Sequence, residues 1–161
     1  MKKYEFTGET KTVPFLFKDV TLHRIQAITS FANVVAGELG GWIEKEENLS
    51  HKGDAWVSGN AEVSENAVVR GNAWVRGNAV VSENAEVFSV RHVLAIGPIG
   101  SRNAFTTFYR DKDNEITVKC GCFSGKIDKF LEKVAQTHGD SKYAQVYKKA
   151  VELAKLQILT G

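Results

Sequence analysis

Cysteine is scarce in this chain: two among 161 residues are too few for the disulfide framework of a small secreted domain and point to a reducing, cytosolic setting. Long apolar runs are missing, since no stretch reaches the roughly 18 residues of a membrane-spanning helix. No secretory leader is recognised at the N-terminus. Neither charge sign dominates: Lys and Arg number 21 against 19 Asp and Glu, a formal charge of +2, so net electrostatics select neither a nucleic-acid duplex nor a membrane. Recognisable reaction chemistry is thin as well. Cys120-Gly121-Cys122 lacks the second cysteine pair of a structural zinc site and reads as two buried reduced thiols, while Ser101 stands outside any nucleophile elbow. No catalytic residue, metal ligand or cofactor is assigned.

What the chain does have is a repeat. From Gly53 to Phe88 run six hexads, GDAWVS, GNAEVS, ENAVVR, GNAWVR, GNAVVS and ENAEVF, each with alanine third and valine fifth. Alanine and valine two apart point to one side of a short strand, so Ala55 with Val57, and the equivalent pairs down to Ala85 with Val87, form a single apolar set. A period of six fits no amphipathic helix. The Gly-Asn, Gly-Asp or Glu-Asn pair before each strand supplies a corner, where glycine tolerates positive φ and Asn or Asp adopts the left-handed conformation. Three sides then close a prism of about 18 residues per coil. That period stacks Val57 on Val75 and Val93, Val63 on Val81, and Val69 on Val87. It also stacks Trp56 on Trp74 on an outer face, either as a ladder covered by the flanking segments or, with Arg70 and Arg76 nearby, as a subunit interface.

These residues resemble the left-handed β-helix of the hexapeptide-repeat family, whose aliphatic-x-Gly signature is matched by Val57-Ser58-Gly59 and Val75-Arg76-Gly77. With GGWIEKEENLS at 40 to 50, GSRNAFTTFYR and CGCFSG, the whole chain is similar to a hexapeptide-repeat family common in bacteriophages and prophages. The resemblance implies a phage-type intracellular binding protein that sequesters a small anionic, nucleotide-like host signal and counters defence, in the host cytoplasm. One alternative is a structural or adaptor protein that self-associates through the β-helix and contacts a host protein. The other is a hexapeptide-repeat acyltransferase, although the regular hexads hold no histidine and make only two coils. His51 and His92 flank them.

The fold expected is mostly β: a short left-handed parallel β-helix capped by a small antiparallel β plus two-helix module. Its parts are a strand-rich N-terminal cap at 1–35, the β-helix at 36–99, and a C-terminal hairpin and helix pair at 100–161. Leu39, Trp42, Ile43 and Leu49 form an irregular first coil. Strands are expected over Thr106 to Arg110 and Ile116 to Cys122 around the DKDN turn, with helices from Ser124 or Gly125 to His138 and from Ser141 to Leu159. Homo-oligomerisation is expected through the tryptophan face or the last helix. The predicted ligand site is the turn and strand after the repeat. There Ser101, Arg102 and Asn103 read an anion or carbonyl, Thr107 and Tyr109 offer hydroxyls, Phe108 offers a stacking surface, and Arg110 pairs with phosphate.

Overall fold

The computed structural model describes residues 1–15 and 17–159; Leu16 of the TVPFLF string lies outside the described residues. Over the described residues the chain is mostly β with two α-helices, and among them no helix is long and apolar enough to cross a membrane. It opens with a hairpin of β1 (Tyr4–Phe15) and β2 (Lys18–Ala27), followed by β3 (Leu39–Ile43). The hexads contribute six two-residue strands: β4 (Trp56–Val57), β5 (Glu62–Val63), β6 (Val68–Val69), β7 (Trp74–Val75), β8 (Val80–Val81) and β9 (Glu86–Val87). After them come β10 (Val93–Ile99), β11 (Ala104–Arg110), β12 (Ile116–Cys120), β13 (Phe123–Lys126), α1 (Ile127–His138) and α2 (Lys142–Leu159).

The hexad strands pair in parallel with the strand 18 residues on: β4 with β7, β5 with β8, and β6 with β9. The irregular first coil extends two of these ladders, with Ile43 above Val63 and Leu49 bridged to Val69. Every inward alanine and valine of the hexads is at most 1% exposed, and all belong to one core. At each corner the first residue of the pair holds the left-handed conformation, while the Asn or Asp after it does not. Gly53, Gly59, Gly71 and Gly77 do so freely, with φ from 63° to 71°, whereas Glu65 and Glu83 are forced to φ 56°. Hydrogen bonds down that corner hold the two glutamates. The Glu65 N–H donates to Glu44 Oε1 at 2.6 Å and the Glu83 N–H to Glu65 Oε1 at 3.2 Å. Buried Asn48 donates its amide to the carbonyls of Glu65 and Ala67.

Both ends of the ladders are closed by side chains. On the N-terminal side the Lys3 ammonium donates to Ala55 O at 2.6 Å and Gly53 O at 3.2 Å, and the Tyr4 hydroxyl donates to Leu49 O at 2.7 Å. Burial pushes Lys3 down to about 8, with Asp54 opposing. Tyr4 and Phe31 also cover Trp56, ring centroids 6.4 and 5.3 Å away. Trp56 is therefore 1% exposed, covered by a flanking segment as in the first of the two alternatives and withdrawn from any interface; Trp74 is only partly buried, with Arg76 over its ring at 6.0 Å.

On the other side the C-terminal sheet, in the order β10-β11-β12-β13, lies against the last coil. Val93–Ile99, assigned to the coil by the repeat reading, belongs by hydrogen bonding to this sheet, where it pairs antiparallel with β11. Val93 still packs on the coil core, only partly buried. Alternation along β11 serves two cores at once: Tyr109 faces the coil, and Phe108 faces the helices. Thr107 Oγ1 accepts from the Val80 N–H at 3.1 Å. Two expected boundaries move for one reason. Cys120 pairs with Phe123 across a two-residue turn, so β12 stops at Cys120 and Phe123–Lys126 forms a strand before α1 begins at Ile127.

Asp111 ties this sheet to the coil, bridged to Ala85 and 2% exposed. Its carboxylate accepts from the N–H groups of Asp113 and Glu115, from Thr117 Oγ1 and from Lys126 Nζ. Burial alone would raise its pKa, but Lys126, Thr117 and the two amides outweigh burial and hold Asp111 below the usual carboxylate range. Its contribution is thus present above the unfolded value near 3.9 and fades as pH falls through the lower folded value. Asp111→Asn should cost about 2–3 kcal/mol at neutral pH, and the gap from wild type should narrow below about pH 4, as read by denaturant unfolding at several pH values. Val75→Asp puts a carboxylate among the stacked valines and should remove most of the stability, at least about 4 kcal/mol in the same assay. A soluble Val75→Asp protein with an unchanged midpoint would contradict this core.

Candidate functional site

A cleft of about 360 Å³ opens where the C-terminal sheet meets the two helices. Three elements frame it: the β10–β11 turn with Ser101 and Arg102, the β12–β13 turn at Gly121 and Cys122, and α1 from Phe130 to His138. The floor is Tyr147 of α2, whose ring stacks on His138 (centroids 5.9 Å, 27° between planes) and meets Phe130 edge to face at 5.5 Å. Cys120 Sγ accepts from Thr106 Oγ1 at 3.4 Å and lies 3.8 Å from the Tyr147 hydroxyl.

The helix spacing explains this wall. Phe130, Val134, Thr137 and His138 recur at intervals of three and four on α1, so they share a face; Phe130 and Val134 are buried, while Lys133 and Thr137 reach the rim. Gly139, at φ 58°, ends the helix with its N–H on Ala135 O, leaving His138 beside Tyr147.

Electrostatically the cleft is cationic at its mouth and neutral at its floor. Arg102 and Lys133 face it without a carboxylate partner within 4 Å among the described residues. Burial, then the neighbouring Cys120, pushes the Tyr147 hydroxyl up to about 12 against the pull of Arg102, so it stays a neutral donor and acceptor. The lining offers an anion two flexible cations, and an apolar or aromatic body the rings of Phe123, Phe130 and Tyr147.

Of the predicted ligand residues, the structure brings Ser101 and Arg102 to this cleft and separates the others. Asn103 holds the turn at φ 50°, its N–H bonded to Gly100 O. Thr107, Phe108 and Tyr109 are at most 2% exposed, spent on the coil and the helix core. Arg110 lies at the far end of β11, over the ring of Phe88. The predicted pocket joining Arg102 to Arg110 is therefore not formed, because one extended strand separates them. Cys122 is exposed at the turn rather than buried. Lys133 and Tyr147 went unrecognised: nothing local marks them, although the helical spacing of Phe130, Lys133, Val134 and Thr137 would have put that face in question. Among the described residues no group of three or more His, Cys, Asp or Glu is arranged to hold a metal.

A second recess, of about 300 Å³, lies between the acidic corner and the sheet, lined by Glu65, Glu83, Asp111, Asp113 and Lys126. The Lys126 ammonium reaches Asp111, Asp113 and Glu115, each at 2.9 Å, which makes this a clamp between modules.

The chain matches no protein-family model. Over 61 residues it is 36% identical to a protein of Escherichia coli (strain K12) named "Uncharacterized acetyltransferase YdcK". The match takes in 35% of this chain and 19% of that protein, so the similarity spans about a fifth of the relative's length. It is compatible with hexapeptide repeats.

Gly100 packs closely against Tyr147 at the floor of the cleft. With φ at 79°, it holds a conformation that side chains resist, and a Cβ there would clash with the Tyr147 hydroxyl. Gly100→Ala should cost about 1–3 kcal/mol and displace Tyr147 from Cys120. In a Cys122→Ser background, Cys120 should then react faster with a thiol reagent; unchanged labelling would show that the turn absorbs the methyl group.

Proposed function

We propose that this protein is a binding module whose C-terminal cleft takes a small molecule with an anionic group and an apolar or aromatic body. The observation that carries the reading is the convergence of Arg102 and Lys133 at the mouth with Phe130, Tyr147 and Cys120 beneath them. Cations that lack internal partners have no ion pair to break when an anion arrives, and an apolar floor discriminates among bodies. A nucleotide-like host signal is the finer form of this reading, as the phage-type resemblance implies. The stacked hexads, on the same reading, form a left-handed β-helix; the hexad pattern and the parallel ladders support it.

A second reading is acyl transfer. The name of the Escherichia coli relative favours it, and the thiol of Cys120 and the imidazole of His138 lining one cleft give it groups with which to act. Against it stands the shape of the coil, whose regular part holds no histidine.

Calorimetry against cyclic and linear nucleotides, nucleotide sugars and acyl-coenzyme A, with the ligand recovered and its mass measured, separates the two. Capture predicts saturable binding, recovery of the unmodified ligand, and at least about tenfold weaker affinity in Arg102→Ala. Recovery of a deacylated coenzyme with a modified acceptor would replace capture with catalysis. Binding indifferent to Arg102 would remove the cleft from consideration.

A further inference from the structure

Phe88 breaks the pattern of the hexads, since the other five end in Ser or Arg. It stands 18 residues after Arg70, in the ladder where Val69 pairs with Val87, so its ring falls directly beside that arginine. The Arg70 guanidinium lies 4.7 Å from the ring centroid, and Arg110, arriving from the end of β11, lies 4.7 Å from the same centroid. Two cations over one ring repel each other, and a folded protein ordinarily sets a carboxylate beside such a pair. Here none is within ion-pair distance. Among the described residues every ion pair is made by lysine or histidine, and none by an arginine.

Both arginines are instead positioned by neutral groups. Arg110 donates Nε to Asn114 Oδ1 at 2.9 Å and Nη1 to the backbone oxygen of Glu86 at 3.1 Å, which fixes the fork without cancelling its charge. Arg70 is exposed, and its guanidinium has no protein acceptor among the described residues. The ring between them is itself anchored: the Phe88 N–H donates to His92 Nδ1 at 3.2 Å, and the His92 ring meets Phe88 edge to face at 4.5 Å. Burial, and then Arg110, hold His92 below the ordinary imidazole range, so it adds no charge but registers the positive field of Arg110.

We propose that Arg70, Phe88 and Arg110 form a second, separate binding site, for a phosphate-type oxyanion that is free or carried as a phosphomonoester on a small molecule. Guanidinium forks suit planar or tetrahedral oxyanions: Arg70 offers its whole edge, Arg110 offers the N–H groups not spent on Asn114 and Glu86, and the three or four oxygens of a phosphate give both more acceptor sites than the two of a carboxylate. The rigid aromatic spacer means that little side-chain entropy is lost on binding.

The test is a titration of the isotope-labelled full chain with inorganic phosphate, and in parallel with glycerol phosphate, at neutral pH and constant ionic strength set by chloride. The arginine Nε–Hε resonances are the readout. Expected are saturable shifts at Arg70 and Arg110, at least about tenfold weaker in Arg70→Gln and in Phe88→Leu, and unaltered in Arg102→Ala. Tighter binding of glycerol phosphate would identify the carried form, and equal or weaker binding the free ion. Linear shifts that never saturate, or shifts equally strong in both clasp variants, would overturn the site. Loss of the shifts in Arg102→Ala would assign the anion to the cleft instead. Failure of the cleft reading leaves this result untouched, because neither clasp arginine lines the cleft.

Discussion

A backbone N–H in the repeat finds its acceptor 17 residues later: Trp56 on Ala73, Glu62 on Ala79, Val68 on Ala85. The bond holds on three faces at once only if every hexad turns the chain by the same amount. From that requirement follow the left-handed corners, because a tight reversal of fixed angle needs positive φ at one residue. The interior follows too. With an identical cross-section at each level, the side chains inside must repeat, and Ala with Val fills that section at nearly zero exposure. A residue inserted into one hexad would displace all later strands in register, so an error is not local.

Stacking of this kind leaves two open ends, and two regular coils are too few to ignore them. The two ends are closed by different chemistry. At the first coil, exposed carbonyls meet donors: the ammonium of Lys3 and the hydroxyl of Tyr4. At the last, exposed N–H groups meet acceptors on Thr107 and His92, and exposed carbonyls meet Arg110 and the Lys112 N–H. Burying the Lys3 ammonium is unfavourable for the charge, yet it satisfies the buried carbonyl of Ala55 as well as that of Gly53. Residues that look functional on paper are therefore used structurally at the ends.

That use explains what the sequence could and could not disclose. The valine columns were legible because hexad periodicity is local and the stacking follows from arithmetic on residue numbers. Leu39 to Leu49 were legible as an irregular first coil only from their apolar residues, since their partners Val63 and Val69 lie 20 residues on from Ile43 and Leu49 instead of 18. Thr107, Phe108 and Tyr109 were misread as a ligand surface because hydroxyls and aromatic rings in a strand carry no label for what faces them, and β11 turns out to have a core on each side. Trp56 was placed outside correctly by alternation, but Tyr4 and Phe31, distant in sequence, cover it. At the Glu-Asn corners the left-handed residue is the glutamate and not the asparagine the sequence points to, because the backbone makes Glu65 and Glu83 stand in for glycine. Half of the cleft was in view through Ser101 and Arg102. The other half comes from helix faces folded back over the sheet, and contacts such as Cys120 with Tyr147 have no local signal.

Lysines and arginines both lie against aromatic rings, but of the two only the lysines also pair with carboxylates among the described residues. Lysines close internal contacts: Lys126 gathers three carboxylates, Lys11 pairs with Glu62 and Lys2 with Glu46. Arginines lie against rings, Arg24 over Trp42, Arg76 over Trp74, and Arg70 and Arg110 over Phe88. The physical reason is hydration. An ammonium is strongly hydrated and is best stabilised by anions at short range, whereas a guanidinium sheds water from its faces readily and keeps its edge donors while stacked. Stacked arginines are thus positioned but not neutralised: Arg70 keeps its edge donors, while Arg110 spends Nε and an Nη1 N–H on neutral acceptors and keeps its charge. A coil whose interior is only alanine and valine can offer no chemistry of its own, so the recognition we propose is assigned to these edges and to the cleft at its C-terminal end.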